Sequence, residues 1–304
     1  MAAWGTWAAV RLIGGDRVPL IETYAAPLLA FTPYAAATTP VPLAAALVLR
    51  RRWAAVAAGA VALALVAPVA PRAIGGGQPD ARGPALRVLS VNLYYGRADA
   101  GALLDLVRRT RADVLSLQEL PREAVRRYEA AGLRTLLPYA VVDTRPAASG
   151  SGLYSRHPLR RLPDVPDTSV ATPRAELTLA GGRRVQVTAV HPLPPLSAED
   201  QESWKRDIGR LPSATPSGPV QILAGDFNAT LDHATLRRLI GRGYADAADR
   251  AGSGLVPTWG TGDIRRPITI DHVLVDERCA VTGYGVHGMP GSDHRAVLAV
   301  IRLP

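Results

Sequence analysis

The hydrophobic pattern of the chain changes character near residue 85. Before that point, residues 25–49 and 53–71 carry no charged side chain, over 25 and 19 positions. After it, short apolar runs alternate with polar stretches of helical period as far as the C-terminus. This second pattern predicts strands at 86–92, 113–117, 136–142, 152–155, 175–179, 184–190, 220–225, 268–275, 281–286 and 295–301. Helices are expected at 100–110, with its leucines on one face, at 121–131, at 197–210 and through 231–240. Pro121 suits a first helical position and Ser197 an N-cap. The strands outnumber the long helices too heavily for a purely doubly wound sheet.

The first pattern predicts something else. An uncharged stretch of about 20 residues is long enough to cross a bilayer as a helix, and neither stretch has a polar face that could meet water. Residues 1–72 are therefore expected to form a membrane anchor with spans at about 25–49 and 53–71. Pro27, Pro33, Pro40 and Pro42 should kink the first span. Arg50, Arg51 and Arg52 would connect the two on the cytoplasmic side, making the protein a multi-pass protein of the cell membrane with everything after Pro71 outside the cytoplasm. Residues 1–13 would be an interfacial helix or a short third span. A Gly- and Pro-rich tether is expected at 73–84, and a single catalytic domain at 85–304.

Composition narrows the chemistry. Of 304 residues, 48% are apolar and 20% charged, which excludes a disordered chain. Cys279 is the only cysteine, so a disulfide framework and cysteine-held zinc or iron–sulfur sites are excluded. Cys279 itself adjoins an expected strand and reads as a small buried hydrophobe. The net charge of +9 favours anionic partners. Residues 1–72 hold six Arg against Asp16 and Glu22, so the excess is not concentrated where catalysis is expected. Arg108, Arg109, Arg111, Arg122, Arg126 and Arg127 fit a solvated helix face better than a track for phosphates.

Polar residues appear where apolar strands stop. Val-Leu-Ser-Val-Asn92 ends on an amide, Leu-Ser-Leu-Gln-Glu119 on a carboxylate, and Val-Thr-Ala-Val-His191 on an imidazole. Gly-Asp226-Phe-Asn228 places a carboxylate and an amide on one side of an extended chain. Thr-Ile-Asp271-His272 and Gly-Ser-Asp293-His294 add two carboxylate–imidazole pairs. Each alone is an ordinary cap or loop residue. Together, at strand ends where loops converge, they describe a site. Its hard oxygen donors, such as Glu119, suit Mg2+ or Mn2+.

These motifs, together with Ser155-Arg156-His157-Pro158, resemble in kind and order those of the endonuclease/exonuclease/phosphatase superfamily, the DNase I-like proteins. The resemblance spans about residues 85–304. It implies a four-layer α/β/β/α sandwich with two mixed β-sheets, preceded here by the transmembrane hairpin. It also implies a divalent-metal-dependent phosphoester hydrolase, a phosphodiesterase or endonuclease, which the expected anchor would place outside the cytoplasmic membrane. Glu119 would hold the metal, with Asn92 and Asp293 helping to place it or the phosphate. His294 would be the base, Asp271 its orienting partner, and Asp226 would position the water. Asn228 and His191 would donate to the phosphoryl oxygens. His157, His233 and His287 match no family position, and His272, next to Asp271 on a strand, should face away. Nucleic acid, nucleotides and phospholipid headgroups all offer the required phosphoester, and the N-terminal helices would contact membrane. No protein partner is expected. Alternatives are a sphingomyelinase-like lipid phosphodiesterase and a non-catalytic domain that binds phosphoryl ligands.

Overall fold

The computed structural model describes residues 1–260 and 267–304. Among the described residues, twelve strands form two six-stranded sheets. The first sheet takes β1 (Ala85–Asn92), β2 (Val114–Gln118), β3 (Tyr139–Asp143) and β4 (Ser151–Ser155). The second takes β5 (Leu159–Leu162), β6 (Arg174–Thr178), β7 (Arg184–Val190), β8 (Val220–Asp226), β9 (Tyr244–Asp246) and β10 (Asp271–Asp276). The chain then returns to the first sheet with β11 (Ala280–Gly288) and β12 (Arg295–Arg302). The sheet orders are β11-β12-β1-β2-β4-β3 and β5-β6-β7-β8-β10-β9. Each has one parallel pair at its centre, β1 with β2 and β7 with β8, and antiparallel neighbours elsewhere.

Alternation along the central strands explains the layering. Leu86 and Val88 point inward to meet Val187, Ile222 and Val273 of the facing sheet. Leu89 and Val91, one position out of phase, point outward. Five short helices at the N-terminus are α1 (Ala2–Ile13), α2 (Glu22–Leu29), α3 (Thr32–Thr38), α4 (Pro40–Val48) and α5 (Arg52–Val66). The outer layer on the first sheet is α6 (Ala100–Thr110), α7 (Arg122–Ala130) and the single turn α8 (Leu133–Leu136), whose Leu103, Val107 and Tyr128 cover Leu89 and Leu115. On the second sheet, α9 (Ala198–Arg210) and α10 (Ala234–Ile240) bring Trp204, Ile208 and Leu236 onto Val190, Leu223 and Leu274. A last turn, α11 (Ala247–Arg250), follows β9. The result is helix, sheet, sheet, helix.

The expected transmembrane hairpin is not there. No helix among the described residues is long and apolar enough to cross a membrane. The prolines are the reason. The segment expected to span at 25–49 is cut into α2, α3 and α4, with Pro33 and Pro40 in the first turns of the latter two. The longest helix, α5, has 15 residues, about 22 Å at 1.5 Å per residue, against an apolar core of about 30 Å. The expected orientation of the later residues rested on those two spans. The helices pack instead on one another through Ala8, Ala36, Leu65 and Val69, while Trp53 and Leu63 stay on the outer surface. Residue 74 onward has no regular secondary structure until β1, and this stretch is fastened where Gly76 N–H donates to Arg250 O and Gly83 N–H to Leu303 O.

Polar anchors tie the N-terminal helices to the sandwich. Asp16 accepts from the Ala234 and Thr235 N–H groups at 2.9 Å each, capping α10 from a distant part of the chain. The buried Asp232 carboxylate receives Arg11 Nε at 2.7 Å and a bidentate pair from Arg72 at 2.7 and 2.8 Å. Burial works to raise the Asp232 carboxyl, but Arg72 and Arg11 outweigh it and hold the group below its ordinary value. Removing the carboxylate leaves two buried guanidinium groups without their charged partner. Asp232→Ala is expected to cost about 3–5 kcal/mol, read as a lowered urea midpoint. A midpoint equal to wild type would show that this cluster does not hold the segment.

Candidate active site

The two parallel strand pairs bring their C-terminal ends to one rim, and the backbone sets the side chains that meet there. Asn92 is the last residue of β1, in register with Gln118 of β2, and Glu119 follows directly. In the other sheet Asp271 of β10 lies opposite Asp226 of β8, and Gly225 opposite Val190. Gly225 is required: a Cβ there would sit 1.8 Å from the Val190 carbonyl oxygen. That close approach keeps His191, the next residue, beside Asp226.

Asn92 bridges the two sheets. Its Nδ2 donates to Glu119 Oε1 and to Asp226 Oδ2, both at 3.1 Å, while its Oδ1 accepts from Tyr94 N–H at 2.9 Å. In this orientation the amide separates two carboxylates; ligating through its oxygen would require the amide to turn over. Glu119 Oε2 accepts from Tyr95 N–H at 2.7 Å, and Asp226 Oδ1 from Asn228 N–H at 2.8 Å. Asn228 Nδ2 is committed to Pro192 O at 2.9 Å. Tyr94, Tyr95, Glu119 and Asn228 all have positive φ, between 47° and 55°. Such non-glycine strain collects where a site holds its backbone in place.

His294 completes the cluster. Its Nδ1 lies 3.0 and 3.2 Å from the two Asp271 oxygens, leaving Nε2 at 3.6 Å from Asp226 Oδ2 and 3.9 Å from Asp293 Oδ1. Ser292 Oγ accepts from His294 N–H and donates to Asn92 O. Thr258 Oγ1 accepts from Asp271 N–H at 3.1 Å. His191 Nε2 stands 3.7 Å from Glu119 Oε1 and 3.8 Å from Asp226 Oδ2. All eight residues expected at the site thus converge, since Asp293 lies beside His294 and receives Trp259 Nε1 at 3.1 Å.

Electrostatically this is a largely buried site with surplus negative charge. Burial pushes the Asp226 carboxyl up to about 6, with His294 pulling against it. Burial also raises Glu119, opposed by the Tyr95 N–H and Asn92. For His294 burial works downward, but Asp271 and Asp226 override it and lift the imidazole to about 10. A raised acid and a raised base side by side mean that the cluster retains a proton that carboxylates in water would release. His191 is lowered by burial against the pull of Asp226.

The site suits a divalent cation. Glu119, Asp226, Asp271 and Asp293 offer hard oxygen donors, and Asp293 Oδ1 is buried with no hydrogen-bond partner. Asp226, Asp271 and His294 present donor atoms within 4.8 Å of one another, although the His294–Asp271 hydrogen bond makes that trio a proton-holding arrangement first.

Four residues escaped the sequence reading. Tyr94, Tyr95 and Trp259 line the cleft, and Thr258 fixes Asp271. The Tyr-Tyr-Gly after Asn92 and the Thr-Trp-Gly at 258–260 were the available signals. Among the other histidines, His233 Nε2 lies 2.8 Å from Ala26 O. His272 turns away from the cluster, as strand alternation requires. Its Nδ1 meets Asp246 Oδ2 at 2.7 Å and its Nε2 meets Ala229 O at 2.8 Å. Both partners are acceptors, so this ring carries two protons. Burial works to lower it, and Asp246 overcomes that to raise it.

A pH dependence follows for His272. A raised folded-state value stabilises fully below the unfolded value of about 6.5 and is lost as pH rises through the folded value. The Tm difference between wild type and His272→Gln is expected to be largest below about pH 6 and to narrow on going alkaline. A difference that widens with pH would contradict the assignment.

Comparison with known proteins agrees with this geometry. The model of the Endonuclease/Exonuclease/phosphatase family matches residues 89–294. No curated protein matches the chain in sequence. An endonuclease/exonuclease/phosphatase from Beutenbergia cavernae is similar at 19% identity and TM-score 0.52, over 72% of each chain. Truncated Caenorhabditis elegans TDP2 is similar at 18% identity and TM-score 0.57, over 73% of this chain and 99% of that one. The 3′ phosphatase NExo from Neisseria, bound to a product DNA hairpin, is similar at 18% and TM-score 0.57, over 70% and 98%. At these identities the likeness is one of fold. The family match covers more than half of the sequence, so the chain belongs to the endonuclease/exonuclease/phosphatase family and is a metal-dependent phosphoester hydrolase.

Proposed function

We propose that the chain is a phosphodiesterase in which His294, oriented by Asp271, takes the proton of the water that attacks phosphorus. The observation that carries this reading is the double contact of His294 Nδ1 with the Asp271 carboxylate at 3.0 and 3.2 Å. It fixes the tautomer and leaves Nε2 as the working nitrogen. Asp226, beside Nε2, orients the water. His191 and, through the Nδ2 hydrogen not given to Pro192 O, Asn228 face the same cleft and donate to phosphoryl oxygens as charge builds. For His191 the pull of burial toward the neutral ring leaves one N–H for that purpose. Glu119 would hold the cation, with Asp293 and, were its amide turned over, Asn92. When bound, Mg2+ or Mn2+ neutralises phosphate and carboxylate charge, which also favours the unprotonated form of His294.

Two of the similar folds, TDP2 and the 3′ phosphatase with its DNA product, support a phosphoester substrate. A polynucleotide groove finds less support. Arg108 and Arg126 pair with Asp105 and Glu123 of their own helices, and Arg127 donates to Gly96 O.

Hydrolysis of bis(p-nitrophenyl) phosphate by the full-length protein with Mg2+ or Mn2+ is expected to fall ~10²–10⁴-fold in His294→Ala, and to stop with chelator. Asp271→Asn should lower the rate with little change in KM. Wild-type turnover by H294A, or activity that survives chelation, would sink the reading.

A further inference from the structure

The N-terminal helices lie outside the family match at 89–294, yet they form a wall of the active-site cleft. Ala26, Pro27 and Ala30 line a cleft of about 560 Å³ together with Tyr94, His191 and His294. Past Ala30 and Ile268 a second cavity of about 290 Å³ opens between α3 and the 254–257 loop. Ala30 and Ile268 line both, so the two cavities adjoin.

The second cavity is apolar in character as well as in composition, because its polar atoms are already engaged. The Arg72 guanidinium is spent on Asp232 and Pro68 O. Tyr34 OH donates to Pro267 O at 2.6 Å and Thr269 Oγ1 to Val256 O at 2.9 Å. Thr230 Oγ1 accepts from Asp232 N–H. What remains for a ligand is the surface of Pro33, Ala37, Leu255, Pro257 and Ile268. The wall is also fixed in place. Lys205 pairs with Glu22 at 2.9 Å, His233 meets Ala26 O, and Asp16 caps α10.

We infer that this groove takes the hydrocarbon tail of a single-chain phospholipid-class phosphodiester, whose phosphate sits at His294 and Asn228. The inference rests on the phosphodiesterase reading above. A charged cleft adjoining an apolar cavity matches an amphiphile. A polynucleotide matches that arrangement less well, because among the described residues that line the two cavities the one arginine, Arg72, is engaged by Asp232.

The test is a series of p-nitrophenyl alkyl phosphodiesters, methyl to octyl, below their micelle concentrations, with full-length protein and Mg2+. A fully buried methylene is worth about fourfold, so kcat/KM is expected to rise at least tenfold from methyl to octyl. Ala37→Trp and Leu255→Asp, checked for unchanged thermal melting, should each reduce the octyl-to-methyl ratio. A ratio near one in wild type, with metal-dependent turnover of the methyl ester, overturns the groove and leaves the phosphodiesterase standing. So does a ratio unmoved by both variants, or plasmid DNA cleaved in preference to every alkyl ester. If no diester is turned over, the phosphodiesterase reading fails. The groove is then judged by calorimetry with octyl- and methylphosphonate: tighter octyl binding, weakened by A37W, supports it, and equal binding overturns it.

Discussion

The rest of the site depends on holding four carboxylates close together, three of them, Glu119, Asp226 and Asp271, buried. Glu119, Asp226, Asp271 and Asp293 would repel one another strongly in a medium of low dielectric. The fold opposes this with specific donors: the Asn92 amide between Glu119 and Asp226, the Tyr95 and Asn228 N–H groups, the Trp259 indole and the His294 ring. Burial raises Asp226, and Asp271 and Asp226 raise His294, so both sit above their ordinary values. A site poised this way favours a dication and a phosphoryl group together, since each supplies charge that the other needs.

Each of the two sheets supplies part of the cluster. Asn92, Glu119 and His294 belong to the first sheet or its loops, whereas His191, Asp226 and Asp271 belong to the second. The apolar contact between the sheets, with Val88 and Val297 against Ile222 and Val273, therefore sets the distances on which proton transfer depends. The positive φ of Glu119 and Asn228 shows the backbone bent to aim a side chain, at a cost the packed sheets can bear. The N-terminal helices add a further wall on the α10 side, through Asp232 and its two arginines.

Much of this was legible in the chain. The helices at 100–110 and 197–210 and the strand at 184–190 follow from periodicity and caps and lie within a residue of where they were expected, because local patterning and tertiary packing agree there. The missed strands, β5 and β9, are short. Leu159–Leu162 exposes two arginines at the sheet edge and exists through its pairing with β6, so no local signal marked it. The N-terminal reading failed for a related reason. Hydropathy reports how apolar a stretch is, and the prolines decide how far a helix through it can run.

The sequence by itself determined the chemistry: which carboxylates, imidazoles and amides end the apolar strands, and in what order. That information is local, since side-chain type and strand alternation are written residue by residue. Only the tertiary structure decided that these ends share one rim, that the Asn92 amide faces two carboxylates, and that Thr258 and Trp259 serve Asp271 and Asp293. It also decided that α2 walls the cleft. Those facts depend on contacts between residues as far apart as Ala26 and His233, and a contact of that range leaves no period or motif in the chain.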